Sequence, residues 1–109
     1  MSLKTVSETS HVRGTNTGND FIAIPAVASQ RIGVHKMIVV VAGATSIQFT
    51  DHVSTSLSQL FPLLANGTIV LDTQVNGDPW WSTAIGAAFS IVQTAGASIS
   101  YDIWFVQGP

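Results

Sequence analysis

The residues that could act in catalysis are few and scattered along the sequence. His52 follows Asp51, with Ser54 nearby. A Ser/His/Asp triad needs the three side chains to converge on one point. Adjacent residues of an extended chain point to opposite sides, so this group predicts a solvated polar loop rather than a triad. The sequence has no cysteine, which excludes a thiolate nucleophile. We therefore expect no catalytic residues and a protein that is not an enzyme.

Metal and carboxylate chemistry is equally poorly supported. His11 and His35 do not have metal-ligand spacing within one element. Three copies of His35 could meet on the axis of a trimer, but a half-buried or surface histidine is the simpler interpretation. The acids of residues 20–109 are mostly at predicted turns or strand ends, with Asp102 on a strand as the exception. We expect no metal site, no paired catalytic carboxylates and no cofactor.

The aromatic pair Trp80-Trp81 is the most informative feature of the sequence. Two adjacent strand residues face opposite ways, so one of these rings must point away from the core. The outward ring has three possible roles, which the sequence leaves open: packing within the domain, contact with another subunit, or stacking on a ligand such as a sugar. With the preceding loop, the candidate ligand-binding residues are Trp80, Trp81, Asn76 and Asp78.

Composition favours a protein whose copies associate. Apolar residues make up 46% of the 109-residue chain, whereas charged residues make up 9%, against about 25% in ordinary soluble proteins. The net charge of −2 excludes a nucleic-acid binder that relies on a basic surface. Uncharged polar residues must cover the surface, and copies of such a protein repel one another weakly. The sequence contains no apolar run long enough for a membrane span and no apolar leader segment.

Hydrophobic patterning predicts a series of short strands. Residues 1–19 are polar and lack a period, so we expect a flexible N-terminal arm, followed by one domain over residues 20–109. Two hairpins are predicted, one turning at Gly43-Ala44 and one at residues 94–96, and Pro62 predicts an edge strand or a bulge. The predicted strands are residues 20–24, 31–42, 46–50, 60–64, 68–71, 89–93 and 97–106.

Seven or eight short strands without helices between them are typical of a β-sandwich or a small barrel. We predict an all-β protein, an antiparallel β-sandwich with jelly-roll connectivity, on the grounds of size and strand number. Ile47 and Phe49 are expected to point inward. The run from Ile38 to Val41 is apolar on both faces, which is typical of a central strand or of one whose outer face meets another subunit.

The order of these motifs resembles small structural proteins of bacteriophage and prophage virions, over about residues 20–106. The family has a more polar residue where Ala87 and Ala88 stand. The resemblance implies a virion protein such as a head fibre, a decoration protein or a tail-tip component, commonly a trimer anchored by an N-terminal arm. It brings no catalytic residues. The matching segments are residues 27–32, 42–44, 63–67, 80–83 and 96–101.

Two hypotheses about function follow from the sequence. The first is a non-enzymatic virion protein that forms a homotrimer and attaches to other virion proteins through residues 1–19. Its subunit interface is predicted at Val39, Val41 and whichever of Trp80 and Trp81 is exposed. The second is a carbohydrate-binding or host-receptor-binding module, in which Trp80, Trp81, Asn76 and Asp78 contact a glycan of the host surface.

Overall fold

The computed structural model describes residues 10–51 and 56–109, and the described chain is all-β, as predicted. No helix in these ranges is long and apolar enough to cross a membrane. Seven of the strands lie where the sequence predicts them, to within about two residues. The strands are β1 (Ser10–Asn16), β2 (Asp20–Ile24), β3 (Arg31–Val41), β4 (Thr45–Thr50), β5 (Phe61–Leu63), β6 (Thr68–Leu71), β7 (Trp81–Ser82), β8 (Phe89–Gln93) and β9 (Ile99–Gly108).

The strands form two antiparallel sheets that pack face to face, which confirms the predicted sandwich. Sheet A has the order β1-β9-β3-β6, and the short β7 also pairs with β3. Sheet B has the order β2-β8-β4-β5, so the proline-containing β5 is an edge strand, as predicted. Proline lacks the N–H that a central position requires, which explains why β5 ends the sheet.

The core lies between the inner faces of the two sheets. Alternation along β4 and β9 puts their apolar residues inside, as predicted for Ile47 and Phe49. The Phe49 ring stacks on Phe89, with 5.7 Å between the ring centroids. The largest fully buried side chains are Phe49, Phe89, Ile24, Ile32, Met37, Ile47, Ile91, Ile99, Ile103, Val34, Val39 and Val41.

Strand β3 changes the phase of its alternation once. Its buried residues are Ile32, Val34, Met37, Val39 and Val41. The register with β9 shifts between Val34 and Lys36, so His35 is the extra residue of a β-bulge. The bulge moves the inward face from even to odd positions and keeps both halves of the strand in the core.

The prediction that Val39 and Val41 form a subunit interface is wrong. Both side chains are fully buried inside the sandwich. The apolar run from Ile38 to Val41 belongs to a central strand, and its alternate residues Ile38 and Val40 are the ones that face outward. The apolar residues that this run offers to another surface are therefore Ile38 and Val40.

Both predicted hairpins are also wrong, because each pair of strands is divided between the sheets. Strand β3 lies in sheet A and β4 in sheet B, and β8 and β9 are divided in the same way. In sheet A, β3 is flanked by β9 on one side and by β6 and β7 on the other, and β9 is flanked by β1 and β3. Both sides of β3 and both sides of β9 are thus occupied by other strands, so β4 cannot pair with β3 and β8 cannot pair with β9. The glycine-containing turns instead carry the chain from one sheet to the other.

The predicted flexible arm needs correction at residues 10–16, which form β1. This strand pairs with β9 over its whole length, from Ser10 opposite Phe105 to Asn16 opposite Ile99. It was missed because only Val12 packs on the core, so β1 has no hydrophobic period. Residues 1–9 and the candidates His52 and Ser54 lie outside the described residues.

A buried glutamine ties the turns together at one end of the sandwich. The side chain of Gln93 accepts hydrogen bonds from Thr45 Oγ1 (3.1 Å) and from the Ala97 N–H (2.8 Å). Its amide nitrogen donates to the carbonyl oxygens of Gly18 (3.0 Å) and Ala97 (2.8 Å). Four hydrogen bonds satisfy this buried group, so three turns are held by one side chain.

Candidate functional site

The loop from residue 72 to residue 80 is anchored on β3. The Trp80 N–H donates to the Val34 carbonyl oxygen at 2.7 Å, beside the bulge at His35. Pro79 packs over Gly33, where an added Cβ would lie 3.3 Å from the Pro79 Cβ. Gly33 therefore gives the loop a close approach to the sheet, and the last residues of the loop are fixed in position.

Hydrogen bonds within the loop hold its shape. The Gln74 side chain donates to the carbonyl oxygens of Asp78 (3.2 Å) and Pro79 (3.1 Å). The Asn76 side chain donates to Asp78 Oδ2 (3.0 Å) and accepts from the Asp78 N–H (3.1 Å). Gly77 between them has a φ of +79°, which glycine adopts without strain. Asn76 and Asp78, two predicted ligand-binding residues, thus bond mainly to each other.

The two adjacent tryptophans point in opposite directions, as predicted. Trp81 packs against the core, and its ring stacks on Phe49 with 5.1 Å between centroids. Trp80 is 40% exposed, and its indole N–H donates to the Asp72 carbonyl oxygen at 2.7 Å. Trp80 is therefore the outward ring, and the ring of Trp81 is engaged in the interior.

An open surface cavity of about 550 Å³ lies beside Trp80. Sequence reasoning found Trp80 and Asn76 but missed the residues that directly follow β6, because a polar turn carries no pattern. Asp78 and Trp81 are not among the lining residues. An exposed aromatic face with amide, hydroxyl and carboxylate groups around it can bind a ligand that is apolar on one side and polar at its rim. The cavity is lined by Asp72, Thr73, Gln74, Val75, Asn76 and Trp80.

A second group of polar residues lies on the outer face of sheet A, where β1, β9 and β3 run side by side. His11 stacks on Trp104 with 4.4 Å between centroids, and Lys36 Nζ lies 5.0 Å from the Trp104 ring centroid. Asp102 Oδ1 lies 2.9 Å from both His11 Nε2 and Arg13 Nε. The hydrogen bond from Arg13 is the main reason that the pKa of Asp102 is lowered.

The other side of the same face is apolar. Ile38 lies directly across from Val70, and the next outward residue of β3 is Val40. Val70 is 61% exposed and Val40 is 37% exposed. We call Ile38, Val40 and Val70 the outer strip. Sequence reasoning placed an interface on β3 but chose the inward residues, because the bulge that changes the phase was not anticipated.

His35 and the acidic residues carry side chains that can ligate a metal ion. His35 stands at the bulge, where burial lowers its pKa and the nearby Asp78 carboxylate opposes that shift. Among the residues that the structure describes, no three His, Asp or Glu side chains are grouped closely enough to hold a metal ion. Asp51 is buried and makes interactions of its own.

Within the described ranges, two places on the surface stand out as candidates for function, and both are connected to β6. The outer strip includes Val70 of β6, and the loop that carries Trp80 begins where β6 ends at Leu71. No family model, no curated protein and no solved structure matches this chain.

Proposed function

We propose that this chain is a non-enzymatic structural protein of a virion, the class that its sequence resembles, and that it works as a homo-oligomer. The contact between copies is assigned to the outer strip and the free edge of β6. This edge is the observation that carries the proposal, because it differs from the other edges longer than the two-residue β7 in the described part of the chain.

Sheet edges in native proteins are commonly blocked against pairing by charges, prolines or bulges. Arg13 lies on the edge strand β1, and Pro62 lies on the edge strand β5. The edge strand β2 begins with Asp20 and has an irregular register. Strand β6 has the sequence Thr-Ile-Val-Leu and none of these features. A row of unpaired backbone groups beside an exposed apolar strip favours pairing with another chain.

A second copy of this chain is the partner that fits best. The outer strip is uncharged, and the chain has a net charge of only −2, so electrostatic repulsion between copies is weak. When a second copy covers Val40 and Val70, neither of these side chains brings a charge out of water. We retain the expectation of a trimer, in which the outer strips of three copies pack side chain against side chain around a threefold axis. Backbone pairing of β6 with β6 of a second copy would instead be isologous and would close as a dimer.

The number of strands in each sheet supports jelly-roll connectivity, which is part of this proposal. When the two-residue β7 is set aside, eight strands form two sheets of four, the strand number of a jelly roll built from two Greek keys. Jelly rolls occur in viral capsid and lectin domains. Because residues 10–16 form β1, we assign the attachment to other virion proteins to residues 1–9 rather than to 1–19.

The test is the solution mass, measured by light scattering coupled to size-exclusion chromatography. We expect a mass near three times 11.5 kDa for the native protein and a mass near 11.5 kDa for Val70→Lys. The lysine places a charge on the β6 edge and on the outer strip at once. Since Val70 is exposed, the stability of the monomer should change by no more than about 0.5 kcal/mol.

Ile85→Lys is the matched control. Ile85 is 55% exposed, close to the value for Val70, and it lies in the loop between β7 and β8. This variant adds the same charge elsewhere and should keep the native mass. A monomeric native protein would overturn the assembly proposal, and equal effects of the two lysines would show that the β6 edge is not the contact.

A further inference from the structure

We propose that the cavity beside Trp80 binds a neutral saccharide, with one pyranose ring stacked on the exposed indole face. The proposal concerns a ligand and does not depend on how copies of the chain associate. It follows from three properties of the cavity: an indole ring that is fixed before binding, a lining with both apolar and polar side chains, and the sign of the charge in that lining.

The indole of Trp80 is held in place from two directions. Its backbone N–H is bonded to Val34 on β3, and its ring N–H is bonded to the Asp72 carbonyl oxygen, each at 2.7 Å. The ring is nevertheless 40% exposed and lines the cavity. A side chain that is already immobilised loses little entropy on binding, so its contact area contributes more to affinity.

The lining matches the two sides of a pyranose. A sugar ring presents a face of C–H groups, which packs on the electron-rich face of an aromatic ring, and a rim of hydroxyl groups. Trp80 and Val75 provide the apolar surface. The Thr73 hydroxyl can donate to or accept from sugar hydroxyls, and the Asp72 carboxylate and the Gln74 Oε1 can accept from them. The Gln74 amide nitrogen is already engaged by two carbonyl oxygens of the loop.

Charge restricts the class of sugar to neutral ones. Asp72 lines the cavity, and Asp78 belongs to the same loop. No lysine or arginine is among the lining residues. A ligand that carries a carboxylate, sulfate or phosphate would be repelled by the Asp72 carboxylate and would find no lining cation to pair with. The lining of the cavity therefore selects against acidic glycans.

Trp104, the other tryptophan on the surface, does not offer an equivalent site. Its ring has His11 stacked on it and the Lys36 ammonium group above it. A sugar could reach this ring only by displacing those side chains. Trp104 thus provides a matched comparison in which a surface tryptophan is removed without loss of the proposed site.

The experiment is a binding screen of the full chain on an array of neutral hexose and N-acetylhexosamine oligosaccharides, together with sialylated versions of the same glycans. We expect binding to neutral members and weaker binding to their sialylated counterparts. The Kd of the best neutral glycan, measured by calorimetry, should rise at least about tenfold in Trp80→Ala. It should stay unchanged in Trp104→Ala, with folding of both variants checked by thermal unfolding.

A second pair of variants examines the details of the site. Trp80→Phe keeps an aromatic face but loses the bond to the Asp72 carbonyl oxygen, so its affinity should lie between those of the native protein and Trp80→Ala. Asp72→Asn retains a side-chain oxygen that can accept from the Thr73 N–H but removes the charge. This variant should bind neutral and sialylated glycans with more similar Kd values.

Three outcomes would overturn the proposal: binding to no neutral glycan, equal losses in Trp80→Ala and Trp104→Ala, or a preference for sialylated members. The solution mass of Trp80→Ala separates this proposal from the one on assembly. Lost glycan binding at the native mass supports a sugar site, whereas loss of the native mass together with binding assigns Trp80 to the subunit contact and contradicts the sugar site.

Discussion

The two sides of the outer face of sheet A differ in how their side chains are engaged. On the β1 side, His11, Arg13 and Lys36 surround Trp104 and Asp102, so charges and rings satisfy one another. On the β6 side, the exposed Val40 and Val70 have no charged residue directly across the strands. Ile38 borders the β1 side, because Asp102 lies across from it on β9. One side is closed by interactions within the chain, and the other is left open.

This difference shows why hydrophobicity alone is a poor guide to where a strand belongs. Strand β1 is polar and lies at the opposite edge of the same sheet, where each of its outward residues faces a matching residue of β9, such as Thr15 opposite Ser100. Strand β6 is apolar and yet lies at an edge. The following substitutions would break or sharpen the contrast, from the largest expected effect to the smallest.

Gly14→Val should have the largest effect, because Gly14 faces the core on the inner side of β1, opposite Tyr101. A Cβ at Gly14 would lie 2.7 Å from the Tyr101 Cζ and would overlap the phenol group. Either β1 or Tyr101 must move, which should lower the free energy of unfolding by about 1–3 kcal/mol in urea denaturation. Gly108→Val is the control, since nothing lies within 4 Å of a Cβ there. Equal effects at the two glycines would contradict the packing of Tyr101 on β1.

Asp102→Ala should have a moderate effect on the closed side. It removes the shared partner of His11 and Arg13, both at 2.9 Å, on a partly exposed surface. We expect a loss of about 0.5–1 kcal/mol at low salt and a smaller loss in 1 M NaCl. Hydrogen exchange should accelerate in β1 and remain unchanged in β6. Uniform acceleration in both strands would show that the cluster does not act locally.

The double variant Val40→Thr and Val70→Thr examines the open side. Threonine keeps the β-branched shape but makes the outer strip polar, so the monomer should change in stability by no more than about 0.5 kcal/mol. The dissociation constant of the assembly should rise about tenfold or more, measured by sedimentation equilibrium. Unchanged association would show that the open side is merely solvated.

The smallest effect is expected from His35→Gln, which should change how the free energy of unfolding depends on pH. Burial lowers the pKa of His35, so the unfolded chain takes up a proton first as the pH falls below about 6.5. Stability from this group is present above pH 7 and is lost as the pH falls towards the folded pKa. The variant should therefore show a flatter dependence of unfolding free energy on pH between 7 and 5. A steeper dependence would contradict the assigned direction.

Much of the fold could be predicted from the sequence, because the alternation of apolar and polar residues within one strand indicates which of its faces is buried. The inward placement of Ile47 and Phe49 and the edge position of Pro62 are examples, and both are confirmed. The pairing of strands could not be predicted in the same way. A glycine turn such as Gly43-Ala44 is compatible with a hairpin or with a crossing to the other sheet. The crossing occurs because other strands, distant in the sequence, already pair with both sides of β3.

The candidate site was only partly accessible to sequence reasoning. The outward position of one of Trp80 and Trp81 followed from strand geometry, but which ring it was depended on Phe49, far away in the sequence. The interface residues predicted on β3 differ by one position from those of the outer strip. The reason is that the bulge at His35 shifts every later side chain of β3 to the opposite face. Reading Ile32, Val34 and then Met37 as one inward set would have revealed that bulge.

The central position of β9 has a consequence for how the chain is made. β9 lies between β1 and β3, and its Asp102 bonds to His11 from 91 residues away. Contacts at such separation form slowly, since a long loop must close before they contribute. During synthesis, sheet A cannot close until β9 has left the ribosome, and until then β1 and β3 expose edges that β9 will later cover. Newly made chains at high local concentration would therefore pass through an interval in which pairing between molecules competes with folding.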